Sequence, residues 1–194
     1  FGKVAGEEAA RYARQAGLDA QDALERQAES ARERALAFFG PGRSERPSVL
    51  RREMALSMEG GCGIYRTGTG MRETADKLAE LRERYASAGV SDRSTAWNTE
   101  WLLAIELGYL LEVAQAVACS AIERKESRGA HQRIDGYERR DDANYLKHTL
   151  AYSRGGASPR IELEDVVITK SKPGTRAYGA AAEQAEEGAS ALHG

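Results

Sequence analysis

Apolar positions recur at helical spacing through most of the chain, and the recurrences break at clusters of glycine and proline. In "FGKVAGEEAARYARQ", Phe1, Val4, Ala5, Ala9, Tyr12 and Ala13 share one stripe, which predicts a helix from the first residue to about Ala16. After the break at "GLDA", Gln21 to Phe39 places Leu24, Ala28, Ala31, Ala35 and Phe38 on one face, with Glu and Arg between them. "GPGRSERP" ends that segment. Pro47 suits the first turn of a short helix, "SVLRREMALSME", expected to stop at Gly60 and Gly61. "CGIYRT" reads as a connector. From Gly70 to about Ser87 a further helix aligns Met71, Ala75, Leu78, Arg82 and Tyr85, with Glu73–Lys77 and Glu80–Arg84 as oppositely charged pairs four apart.

The longest element follows in "NTEWLLAIELGYLLEVAQAVACSAIERKES". Asn98 is the expected cap, and Leu102, Leu103, Ile105, Leu107, Leu110, Leu111, Val113 and Val117 leave little polar face. Such a helix is expected at the centre of a bundle, covered by its neighbours. Beyond His131 the pattern changes: "HTLAY" and "RIELEDVVIT" alternate and are rich in β-branched residues, with "SRGGASP" between them, which predicts a hairpin. "GAAAEQAEEGASALHG" has little to bury and is expected to be disordered or a loose helix. The fold class expected is therefore mainly α: three to four helices around a long central apolar helix, with a small C-terminal β-hairpin. Residues 1–134 form the bundle, 135–179 a hairpin-containing subdomain and 180–194 a flexible tail.

Composition adds limits. In 194 residues, 30% charged side chains with a net charge of −2 give no excess of either sign, so nothing favours nucleic acid or an anionic membrane surface. No apolar run is expected to reach the roughly 20 residues that cross a bilayer. Cys62 and Cys119 have neither metal nor redox spacing and are expected to be reduced thiols. The first helix begins without a capping residue or an initiator Met, which suggests a piece of something longer.

The charged and polar residues bear on five kinds of chemistry. In "ERKESRGAHQRIDGYERRDD", Arg124, Lys125, Arg128, Arg133, Arg139 and Arg140 are matched one for one by Glu123, Glu126, Asp135, Glu138, Asp141 and Asp142, which argues against phosphate binding. His131, His148 and His193 lack companion ligand spacing, so no metal is expected. Ser127 and His131 lie four apart without a nucleophile elbow. "GTGMRET" puts two glycines before a helix whose N-terminus attracts anions, but it lacks a preceding strand, a third glycine and a Lys. The fifth possibility is docking: forked donors on Arg128 and Arg133 suit the carboxylates of an interface, and equally a self-paired helix end.

The blocks "RKESRGAHQR", "ERRDDANYLKHTLAY", "REMALSMEGGCGIYRT", "DKLAELRERY", "NTEWLLAIELGYLLEVAQA", "RIELEDVVIT" and "RAYG" together resemble the C-terminal region of fumarate reductase flavoprotein subunits, in the succinate dehydrogenase and fumarate reductase flavoprotein family. The resemblance covers roughly residues 1–179 in order. "EGGCGIYRT" and "RGAHQR" lean towards the quinol:fumarate reductase branch over succinate dehydrogenase or L-aspartate oxidase; a free-standing helical adaptor is the reading from another class. The resemblance implies a parent that reduces fumarate with covalently held FAD, its reacting residues all upstream of Phe1. It therefore implies no catalytic, cofactor-binding or metal-binding residue in this chain, no FAD bound to it alone, and no activity. The implied partners are the FAD and capping domains of the same subunit and an iron–sulfur subunit, with no nucleic acid and no direct membrane insertion. The implied location is the cytoplasmic side of the bacterial inner membrane, peripheral through partner subunits. Arg124, Arg128, His131, Arg133 and His148 remain as candidate interface or structural residues.

Overall fold

The computed structural model describes residues 1–16, 20–155, 157–170 and 174. The tail expected at 180–194 lies outside the described residues. Helices α1 (Gly2–Gln15) and α2 (Gln21–Leu36) bury no residue. The stripe predicted for α2 is thus uncovered except at its end, where a single 3-10 turn, Ala37–Phe39, buries Phe38 against the bundle. Trp101 fastens that end by donating Nε1–H to the Ala35 carbonyl at 2.7 Å and by packing on Phe39 with ring centroids 5.0 Å apart.

The core lies among three mutually packed helices, α3 (Pro47–Cys62), α4 (Gly68–Tyr85) and α5 (Thr99–Glu123). Leu50 and Met54 from α3, Met71, Leu78 and Leu81 from α4, and Leu107, Leu111, Ala114 and Ala118 from α5 form its interior. Two helix starts are those expected, with Pro47 opening α3 and Asn98 Oδ1 accepting from Trp101 N at 2.8 Å on α5; α4 starts two residues before Gly70, where Thr67 Oγ1 accepts from Gly70 N. A short helix α6 (Asp142–Tyr145) leads into strand β3 (Lys147–Arg154), which pairs antiparallel with β4 (Ala157–Asp165) and rests on α5. The strands run closer to their turn than "SRGGASP" implied, because Gly155 at φ 60° lets the chain reverse tightly.

Three expectations change. Gly60 and Gly61 do not end α3, which continues to Cys62. A Cβ on Gly61 would lie 2.1 Å from Thr74 Oγ1 and 2.4 Å from the Gly70 carbonyl oxygen, so that glycine lets α3 and α4 touch backbone to backbone. Lys77 does not turn to Glu73 but bridges Glu80 and Glu53, each at 2.9 Å, because α3 brings a second carboxylate to it. Arg84 does meet Glu80 and also clamps Glu53, whose carboxyl is held down to about 2, first by Arg84 and then by Lys77. Lastly, α5 is long and apolar enough to cross a bilayer by length and composition, contrary to expectation. Its fully buried residues lie on the face packed on α3 and α4, and the hairpin rests on another part of the helix. Leu102, Tyr109, Val113 and Val117 stand exposed opposite the face packed on α3 and α4.

Candidate functional site

The charged segment after α5 closes on itself. Glu126 is 0% exposed, and its two oxygens collect four donors: the Arg124 guanidinium, Arg128 Nε at 2.8 Å and Nη2 at 3.0 Å, and the Asp141 amide at 2.9 Å. Arg124 spends its remaining donors on Thr149 Oγ1 at 2.8 Å and on the carbonyls of Tyr145 and Lys147, so the end of α5 is tied to β3. Arg128 and Arg140 share Asp142, whose carboxyl they pull well below its ordinary value. Every one of these bonds is charge-assisted, the strong kind in a low-dielectric setting.

Arg133 is 4% exposed and forms a bidentate pair with Asp135, both contacts at 2.7 Å, while its Nη1 donates to the Arg124 carbonyl at 3.0 Å. Asp135 in turn accepts from Gly68 N at 2.6 Å, placing a carboxylate at the start of α4. The Arg133 pair, helped by the Gly68 amide, holds the Asp135 carboxyl at about 2. The helix start that "GTGMRET" offered to an anion is thus filled from within the chain. A strand does precede it, contrary to expectation, but only as two residues: β1 (Tyr65–Arg66) pairs parallel with β2 (Gln132–Arg133). A flavin pyrophosphate has no place at this turn, and no other described strand leads into a helix through paired glycines.

His131 closes the junction. A guanidinium has no lone pair to offer, so Arg66 Nη1 must donate to Nδ1, at 2.9 Å, and the imidazole proton sits on Nε2, which faces the Arg124 carbonyl at 3.1 Å. Burial lowers the imidazole below its usual range, and the nearby Arg66, Arg133 and Arg124 charges lower it further against the opposing carbonyl bond. The sign follows. In the unfolded chain the ring takes up a proton near pH 6.5, roughly its free value, while the folded ring still resists, so stability is full above that pH and falls below it. The urea midpoint is expected to drop as pH is lowered from about 7 to about 5. His131→Asn, which takes up no proton, is expected to flatten that slope; an equal slope in both proteins would contradict the assignment.

The structure therefore brings Arg124, Arg128, His131 and Arg133 into one network and leaves His148 outside it, exposed on β3 opposite Glu164. Ser127 and His131 share no hydrogen bond: Ser127 Oγ donates to the Tyr137 carbonyl at 2.9 Å and accepts from Arg133 N at 2.9 Å. The serine is a brace of the loop and not a nucleophile with a base. Cys62 is buried at the end of α3, where burial pushes its thiol up, and Cys119 on α5 is half-buried. Among the described residues no three His, Cys, Asp or Glu side chains converge as metal ligands. Two residues carry more than the sequence reading gave them. Glu126 is the hub, a role hinted at by its place two residues from each of two arginines. Arg66 is joined to His131 across 65 positions by a two-residue ladder that leaves no periodic signal.

Residues 51–178 match the family model described as the fumarate reductase flavoprotein C-terminus. The chain belongs to that family. The fumarate reductase flavoprotein subunit of Haemophilus influenzae is 52% identical over 98% of this chain and 32% of its own length. A solved Escherichia coli quinol fumarate reductase superposes with a TM-score of 0.84 at 46% identity, covering 90% of this chain and 30% of that one. A Mycobacterium smegmatis Sdh1 structure gives 0.64 at 33% identity over 74% of this chain and 24% of its own. The chain spans about a third of the length of the curated relatives it matches. The helical fold and the fumarate reductase assignment implied by the sequence blocks hold, with the fumarate reductases more similar than the Sdh1 structure.

Proposed function

We propose that this member of the fumarate reductase flavoprotein C-terminal family serves as the helical, non-reacting part of an FAD-dependent enzyme that reduces fumarate to succinate. The observation that carries this reading is the alignment of nearly the whole chain, at 52% identity, with a fumarate reductase flavoprotein subunit. The geometry supports a scaffold role. The arginines that drew attention in the sequence are spent on Glu126, Asp135 and Asp142, holding α4, α5 and the hairpin together. In this reading the FAD and capping domains of the same subunit pack on the bundle, and an iron–sulfur subunit docks nearby, with exposed His148 offered as a contact. The assembly lies peripherally on the cytoplasmic face of the inner membrane. Its relatives' designation as subunits, and as quinol fumarate reductases, supports such an assembly.

The test compares two proteins. The full-length flavoprotein that ends in this chain is expected to contain FAD and to oxidise a reduced viologen dye when fumarate is added. The 194-residue chain alone is expected to show neither flavin absorbance nor turnover. Flavin or turnover in the short chain, or no fumarate reduction by the full-length protein, would overturn the reading.

A further inference from the structure

We infer that the uncovered face of α5, together with Arg66, is a docking strip on which the larger part of the same flavoprotein polypeptide seats an apolar segment bearing a carboxylate. This rests on the function proposed above and adds the surface and the chemistry of its occupant. Along α5, Leu102, Tyr109, Val113 and Val117 are spaced by seven, four and four residues, so they align on one side of the helix. They reach over roughly 22 Å at 1.5 Å per residue. Val113 is 61% exposed although the opposite face of the same turns, Leu111 and Ala114, is buried. A mainly apolar strip of this length, with Glu106 as the charged side chain on it, marks an interaction site.

The strip is not neutral at its end. Val113, Ala116, Val117, Ser120 and Ala121 floor a groove of about 390 Å³ that Arg66 and His131 border. Arg66 donates Nε to the Gly63 carbonyl at 2.6 Å and Nη1 to His131. It pairs with no carboxylate among the described residues, whereas Arg124, Arg128, Arg133 and Arg140 each do. His131 accepts from it and brings no counter-charge, so the Arg66 guanidinium borders the groove with Nη2 unpaired among the described residues. A half-buried guanidinium beside an apolar floor is matched by a segment that covers Val113 and Val117 and brings one carboxylate to Arg66.

A bilayer does not satisfy this strip, because exposed Glu106 lies on it between Leu102 and Tyr109. The remaining polypeptide is the favoured protein occupant. The related subunits are about three times as long as this chain, and a tethered segment acts at an effective concentration no separate partner reaches.

The experiment uses the full-length flavoprotein subunit, purified without other subunits, carrying Val113→Cys. Maleimide labelling of the peptide with residue 113, followed by mass spectrometry, is compared between the native protein and the same protein in urea. Protection of about tenfold or more is expected in the native subunit. It is expected to fall several-fold on adding Arg66→Gln and to be kept with Arg66→Lys. Labelling as fast as in urea would overturn the inference. So would protection that grows with protein concentration, which marks a second copy, or that appears only when the other subunits are added. Protection indifferent to Arg66→Gln would overturn the carboxylate. Dye-linked fumarate reduction, measured on the same preparations, separates the two levels: an active but unprotected subunit sinks this inference alone, and an inactive one sinks the proposed function.

Discussion

Glu126→Ala is expected to lower the unfolding free energy of this chain by about 3–5 kcal/mol, the cost of stranding buried charge. The carboxylate is fully buried, and its removal leaves Arg124, 15% exposed, and Arg128, 28% exposed, facing each other without the anion between them. It also leaves the Asp141 amide without its acceptor. These groups were taken out of water on the strength of that one carboxylate, so the loss exceeds the net worth of any single bond. Glu126→Gln keeps the shape and one acceptor oxygen and is expected to cost less than alanine. Arg128→Met is expected to cost least, because Glu126 then retains Arg124 and the Asp141 amide. Urea unfolding with an unchanged slope gives the comparison. An alanine variant within about 0.5 kcal/mol of the parent would show that Glu126 is not the hub.

The adjacent glycines of α3 are expected to respond with opposite signs. At Gly61 an added Cβ collides with Thr74 Oγ1 and with the Gly70 carbonyl, and α3 must move off α4. Gly61→Ala is expected to destabilise by about 2–3 kcal/mol, as overpacking does. Thr74→Ser is not expected to rescue it, since the backbone oxygen at 2.4 Å remains. Gly60 has nothing within 4 Å of the same position, so Gly60→Ala is expected to stabilise by roughly 0.5–1 kcal/mol through helix propensity alone. Paired thermal or urea melts decide it. Equal effects at the two positions would mean that α3 and α4 are not in contact there.

Much of the helical plan was legible because it is local. Asn98 and Pro47 start helices by satisfying or lacking particular amides, and these are properties of a few consecutive residues. Leu78 and Leu107 are buried as their helical spacing implies. The hairpin was legible for the same reason, its alternation being a short-range pattern. The self-pairing of the segment after α5 was visible as charge balance, but which arginine takes which acid was not. Arg133 chooses Asp135 and Arg128 reaches Asp142 through turns whose shape no periodicity encodes. Lys77 leaves Glu73 for Glu53 because a different helix delivers it.

The chain's own order of residues determined where helices and strands begin, which faces are apolar, and the blocks that mark the fumarate reductase flavoprotein family, because these depend on neighbours within a few positions. Tertiary structure alone decided that Gly61 is a contact and not a stop, that Glu126 is buried, that Arg66 meets His131, and that one face of an almost wholly apolar helix stays bare. Those outcomes depend on which surfaces meet across tens of residues, and burial, unlike propensity, is a property of the pair.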